Sequence, residues 1–380
     1  MASCPPTVAN DFRSDLGTAT EDVQRGISAG CSAASNTHWD KWVEFTNLLG
    51  LDPFLHSIQD KVPILQVFLL RVRTGQLAAQ GRQVKSRSAE DYLRSVAQTY
   101  LSLGAPDPRA DDAGNVDFRI RQMLKAYSKT DPAPNRVKPV PVPVLRRVLA
   151  VAHAANDVFL EATADMICIA FFFLLRPGEY TVSPADSTPF ELKDVQLFLG
   201  QRRLTLATAL QAEILSATFA SLTFDRQKNS VRGKVIGHAT SGDLTLCPVR
   251  ALGRRVLHLR SHNAAPSTPL AGAFTDTGHK LVKPSHITDA IRLAVTYLGP
   301  SLGFLPGDVS ARCLRAAGAN ALLCGGVDTD VIRLLGRWRS DEMLRYLHTQ
   351  ANPLLRTFAS QMLTGGHFTL IPNQLVPVDP

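Results

Sequence analysis

The chain has 380 residues, 45% of them hydrophobic, too apolar for wholesale disorder and long enough for two domains of ordinary size. Lys and Arg number 41 against 33 Asp and Glu, a formal net charge of +8, which points away from basic partners and towards polyanions. The surplus is uneven: residues 1–136 carry 16 basic and 15 acidic side chains, residues 137–380 carry 25 and 18. Nucleic acid is therefore the partner to expect of the C-terminal part, with a merely basic soluble protein as the plainer alternative. Cys4, Cys31, Cys168, Cys247, Cys313 and Cys324 make no CxxC pair and no zinc-like spacing, and nothing resembles a Walker A loop or an acidic metal cluster, so no cofactor is expected, and a reducing, intracellular compartment is. Met1–Asn10 lacks the basic-then-apolar pattern of a signal peptide, and the most apolar run, Met166–Leu175, is too short to span a bilayer, so no membrane partner is expected.

Residues 1–36 are rich in Ser, Ala, Thr and Gly with little periodicity and read as a flexible segment. A helical domain is expected over 37–128. His38–Leu49 places Trp39, Trp42, Phe45 and Leu48 on one helix face, and Val62–Arg73, Ser88–Leu103 and Phe118–Ser128 supply three more helical patterns. Residues 129–144 (KTDPAPNRVKPVPVPV) contain five prolines and read as a semi-rigid, non-helical linker. Beyond it, a second domain over 145–364 opens with helical patterns at Leu145–Ala155 and Val158–Leu175. Short β-like runs follow at Leu204–Leu206, Ile214–Phe219 and Leu222–Phe224, reading as a small sheet. Helical patterns return at Pro248–His258, His286–Leu298, Ala316–Leu323, Asp328–Leu335 and Ser340–Thr349, before an aperiodic tail over 365–380. The fold class is mostly α with a small antiparallel sheet.

Three separated segments carry the candidate chemistry. In Leu174-Leu175-Arg176-Pro177-Gly178-Glu179-Tyr180, Arg176 emerges from a helix apolar enough to be buried, where a cation needs a partner. On its own it reads equally as a helix-end cation paired with Glu179. In Leu222–Asn229, Lys228 and Arg226 follow a short strand, where a solvated hairpin tip is the ordinary explanation. In Val309–His348, Arg312, Arg315, Arg333, Arg337, Arg339 and Arg345 recur ahead of Tyr346. There Asp328 and Ser340 read as helix caps, and Leu344 and Leu347 as the buried stripe of the last helix, with Tyr346 off that stripe.

Taken together, these residues resemble the tyrosine recombinase (phage-integrase-like) family, especially recombinases of eukaryotic mobile elements. The resemblance covers about residues 145–355. Arg176 and Glu179 match the family's arginine in an Arg-x-x-Glu context, and Lys228 its hairpin lysine. Arg312-Cys313-Leu314-Arg315 stands where the family has His-x-x-Arg, Arg337 where it has His or Trp, and Tyr346, nine residues later, where it has the nucleophile. Two departures are plain: the His is Arg312, and the His/Trp position holds Arg337 with Trp338 beside it.

The resemblance implies a core-binding domain over 37–128 that clamps double-stranded DNA with a catalytic domain over 145–364. It also implies a homo-oligomer induced by DNA, in a nuclear location if the host is eukaryotic. It gives Tyr346 the role of nucleophile in a covalent 3′-phosphotyrosine intermediate and Lys228 that of general acid. Arg176, Arg315, Arg312 and Arg337 would stabilise phosphate charge, a task to which the guanidinium fork is suited. Arg226, Arg339 and Arg345 would contact DNA. Two alternatives stay open at this stage: a DNA-binding remnant that no longer cuts, and an RNA-binding or protein-interaction module on a helical scaffold.

Overall fold

A computed structural model describes residues 6–25, 29–77, 81–132, 138–183, 188–224, 233–303, 305–339, 343–344 and 347. The chain divides into two compact units, Met1–Asn135 and Arg136–Pro380.

The first unit is helical: α1 (Pro6–Arg25), α2 (Ala29–Leu48), α3 (Val62–Arg73), α4 (Ser86–Ser102) and α5 (Phe118–Thr130). Segment 1–36, expected to be flexible, thus carries α1 and the start of α2. Alanine, the best helix former, recurs through it, and Val8, Phe12 and Leu16 are exposed. The core gathers Trp42 and Phe45 of α2, Phe68 of α3, and Tyr92 and Tyr100 of α4, each large ring worth about 1.5–3 kcal/mol of burial. Trp42 Nε1 and the Tyr100 hydroxyl both donate to the Pro53 carbonyl, at 2.8 Å each, so neither buried polar tip is orphaned. Arg73 pairs with Asp131, whose carboxylate also accepts the Ser86 amide at 2.9 Å, tying α3 and α5 to the start of α4.

The linker expected over 129–144 is narrower than read: α5 runs through Thr130, and α6 (Val142–Ala155) includes Pro143. Proline is compatible with a first turn because those N–H groups have no intrahelical acceptor to lose. The second unit continues with α7 (Val158–Phe172), the single turn α8 (Pro177–Tyr180), β1 (Val195–Leu199), β2 (Arg202–Arg203), α9 (Gln211–Leu215), β3 (Phe219–Phe224) and β4 (Lys234–Ala239). Among the described residues there follow α10 (Pro248–Ser261), β5 (Gly272–Thr275), β6 (Gly278–Leu281), α11 (Pro284–Leu302), α12 (Cys313–Cys324) and α13 (Thr329–Gly336). Helix α7 is apolar on every side and lies in the middle, packed on α6, α10, α11, α12 and β5. The strands form an antiparallel sheet in the order β2-β1-β3-β4 and a separate β5-β6 hairpin. The fold class is the one the composition and periodicity indicate, mostly α with a small antiparallel sheet. No helix among the described residues is long and apolar enough to cross a membrane.

Candidate functional site

The site grows from the way two helices end. Asp157 caps the start of α7 by accepting from Phe159 and Leu160 N–H. At the other end Leu174 turns into the left-handed region (φ 51°), and the Leu175 amide reaches back to the Ala170 carbonyl at 3.0 Å. That closure normally employs glycine; a leucine there costs about 1–2 kcal/mol. Helix α13 ends the same way: Arg337 is left-handed (φ 59°), and the Trp338 amide returns to the Arg333 carbonyl at 3.1 Å. The two turns meet. Arg337 Nη1 donates to the Phe173 carbonyl at 3.1 Å and Nη2 to the Leu174 carbonyl at 3.1 Å.

Arg315 reaches the same carbonyl from α12, donating from Nη1 to the Leu174 oxygen at 2.8 Å and from Nη2 to the Gly336 oxygen. Its guanidinium lies 4.2 Å from the Trp338 ring centroid. The approach of α12 is close because of Gly318, where a Cβ would stand 2.2 Å from the Phe171 carbonyl oxygen.

Arg176 caps α8. Pro177 is pre-set for the first helical position, and Glu179 folds back to accept the Arg176 amide at 2.8 Å. Glu179 also accepts from Arg176 Nη1 at 3.2 Å and from Arg337 Nη2 at 3.0 Å. The ion pair with Glu179 expected of Arg176 at a helix end is therefore present, and it belongs to a larger network.

The sheet closes one side. The Arg337 guanidinium sits 4.0 Å from the Phe224 ring at the end of β3. Lys234, paired with Phe224 in the β3-β4 register, donates from Nζ to the Leu334 carbonyl at 2.8 Å. A cation at a helix C-terminus is favourable. Burial, then the charge of Arg337, pulls the Lys234 ammonium below its ordinary range. Burial lowers Arg337 to about 10 against the opposing pull of Glu179, so it stays a cation at neutral pH. His238 on β4 lies edge-on to Phe173 at 4.8 Å, and burial lowers its imidazole, favouring the neutral ring.

Of the residues singled out in the sequence, Arg176, Arg315 and Arg337 are brought together. Arg176 keeps 30% of its side chain exposed, while Arg337, expected to face substrate, has a side chain only 1% exposed. Arg312 is exposed at the start of α12, and Arg339 is exposed after α13. Tyr346, Lys228, Arg226 and Arg345 lie outside the described residues. Around Tyr346 in the sequence, Met343 is buried with Ala319 and Ile332, and Leu347 packs on that cluster. Leu344, expected to be buried, is 58% exposed, so the apolar stripe runs through Met343 instead. Sequence reasoning missed Lys234, a lone lysine at a strand start. Among the described residues no group of three or more His, Cys, Asp or Glu is placed to hold a metal ion.

No protein-family model matches the sequence, and no curated protein does. Among solved structures the chain is similar to XerA recombinase, with 14% identity, a TM-score of 0.37, and coverage of 88% of this chain and 100% of that one. It is similar to a Tn1549 transposon integrase (residues 82–397) in complex with circular intermediate DNA, with 12% identity, a TM-score of 0.41, and coverage of 84% and 98%. An integrase from mycobacterium phage Brujita is similar with 17% identity, a TM-score of 0.30, and coverage of 97% and 95%.

Proposed function

We propose that the protein is a DNA strand transferase of the tyrosine-recombinase type, cutting and rejoining duplex DNA through Tyr346. The observation that carries this reading is the meeting of Arg176 and Arg315 at the end of α7, where Arg315 binds the carbonyl of Leu174 from 141 residues away. Guanidinium groups gathered at one point suit a phosphodiester, whose nonbridging oxygens gain negative charge when the phosphorus is attacked. Phe224, which ends β3 and packs on Arg337, precedes Arg226 by two residues and Lys228 by four in the sequence.

In the reaction the Tyr346 phenol gives up its proton to solvent and its oxygen bonds to phosphorus as the bond to the 5′-oxygen breaks. Lys228 supplies the proton that the departing hydroxyl needs, and rejoining reverses both steps. Because the phosphotyrosine link conserves the energy of the phosphodiester, rejoining requires no ATP. A second reading, a DNA-binding descendant that no longer cuts, is favoured by the exposed Arg312, which stands where the resemblance has a histidine. An arginine has donors but no usable base form.

The test begins with duplexes selected for binding from a randomised pool. Binding should weaken steeply with added salt. Nicked versions of these duplexes should trap a covalent adduct that Tyr346→Phe abolishes while leaving binding nearly intact. An adduct persisting in Tyr346→Phe overturns the nucleophile assignment. Salt-sensitive binding with no adduct selects the second reading, and absence of duplex binding at low salt overturns both.

A further inference from the structure

Arg337 is as deeply buried as Arg315, at 4% and 3% exposure, and its terminal donors are all engaged. Nη1 serves the Phe173 and Leu335 carbonyls, both at 3.1 Å, and Nη2 serves the Leu174 carbonyl at 3.1 Å and Glu179 Oε2 at 3.0 Å. The Phe224 ring covers one face. No terminal N–H is left to turn towards a phosphate. Two of the four groups that Arg337 grips are shared with another arginine: Glu179 holds both the amide and Nη1 of Arg176, and the Leu174 carbonyl accepts Nη1 of Arg315.

We infer that Arg337 is a positioning residue: it makes no contact with DNA, and through Glu179 and the Leu174 carbonyl it sets the orientations of Arg176 and Arg315. The inference rests on the strand-transfer reading for its effect on rate, but the geometry it describes stands without DNA. The task needs arginine rather than lysine. A planar fork can hold three carbonyls and a carboxylate at fixed angles, whereas an ammonium on a flexible stem cannot. It also gives the left-handed backbone at Arg337 and Leu174 a purpose, since those two turns aim the fork and its acceptors at each other.

The experiment uses the full chain and the arginine reagent phenylglyoxal, with modified peptides mapped by mass spectrometry. In the free wild-type protein Arg176 should react and Arg337 should not, and bound duplex should protect Arg176. In Arg337→Met, Arg176 should react severalfold faster, because the carboxylate holding it has lost its second anchor. Single-turnover cleavage should fall about a hundredfold, the scale of a misplacement near 1 Å, with duplex affinity nearly unchanged. Arg337→Lys should not rescue either property.

Glu179→Gln should reproduce the loss, and the double variant should be no worse than either single one. Reaction of Arg337 that duplex suppresses would make it a DNA contact and overturn the inference. So would an unaltered Arg176 reactivity with only a lowered melting temperature, or losses that multiply in the double variant. If Arg337→Met does not fold, Glu179→Gln read by the same mapping decides the matter. A wild type that neither binds nor cuts duplex sinks the strand-transfer reading, while the modification pattern of the free protein still decides the positioning role.

Discussion

Replacing Gly318 by alanine tests how the site is built. In an exposed helix this change stabilises by about 1 kcal/mol, since alanine is the better helix former. Here the new Cβ would lie 2.2 Å from the Phe171 carbonyl oxygen and 2.4 Å from Leu174 Cδ2, against an ordinary contact of at least 3.4 Å. The leucine tip can swing aside, but the carbonyl belongs to α7 and is held by its helix. To relieve the overlap α12 must back away by about 1.2 Å, the difference between those two distances. Overpacking of this kind costs about 1–3 kcal/mol, outweighing the propensity gain in all but its mildest form.

Arg315 rides on α12 and would be drawn from the Leu174 oxygen it now meets at 2.8 Å. Thermal melts should therefore show the Arg136–Pro380 unit losing several degrees, at about 2–4 °C per kcal/mol for a domain of this size. On the strand-transfer reading proposed above, single-turnover cleavage measured well below the melt should fall by about a hundredfold. A melting temperature above that of wild type would refute the close approach of α12 to α7 and, with it, the placement of Arg315.

Two further outcomes concern buried charge elsewhere in the same unit. Asp165 is enclosed, with a side chain 4% exposed, and is paired with Arg254. Arg254→Met should cost about 3 kcal/mol, near the lower end for breaking a buried pair, because Arg254 itself reaches solvent. Burial already raises the Asp165 carboxyl. Its protonation in the variant should shrink the deficit as pH falls, which urea titrations at two pH values would show; a deficit that grows in acid would contradict the assignment. His258 accepts the Phe274 amide at Nε2 (2.9 Å), and burial, with Arg255, His262 and His279 nearby, lowers it from 6.5 to about 4. The unfolded chain then takes up the proton first, so stability should fall as pH drops from 6.5 towards 4 and be fully present above 6.5. His258→Gln should flatten that part of the urea-stability profile, and parallel profiles would count against it.

Much of the fold is readable from local pattern. Val62–Arg73 was expected and found as a helix with the same ends, because apolar residues at helical spacing and a proline at its start leave little choice. The long helices of the second unit follow the same logic, with ends a few residues off. Short elements were less legible. Ile214–Phe219 was read as a strand, yet α9 occupies Gln211–Leu215, since a few apolar residues suit a buried turn and a strand equally. The β5-β6 hairpin was not foreseen. Met343 rather than Leu344 faces inward because the packing cluster it joins is built from α12 and α13, not from its own segment.

For the site, the spacing of Arg176 and Glu179 was enough to anticipate their contact, since three residues across a helix start bring side chain and backbone within reach. Local chemistry of this kind needs no distant partner and is written in the order of residues. The enclosure of Arg337 is of another kind. Besides Glu179 and the nearby Leu335 carbonyl, its acceptors are main-chain carbonyls of Phe173 and Leu174, more than 160 residues away, and a carbonyl is the same in every residue, so no side chain advertises that pair. Nor does the sequence mark Leu174 and Arg337 as left-handed, a conformation that glycine would have announced. Which arginine keeps a face to solvent and which is sealed beneath it was decided by how closely α12, α13 and β3 pack on the end of α7, and so only by the assembled tertiary structure.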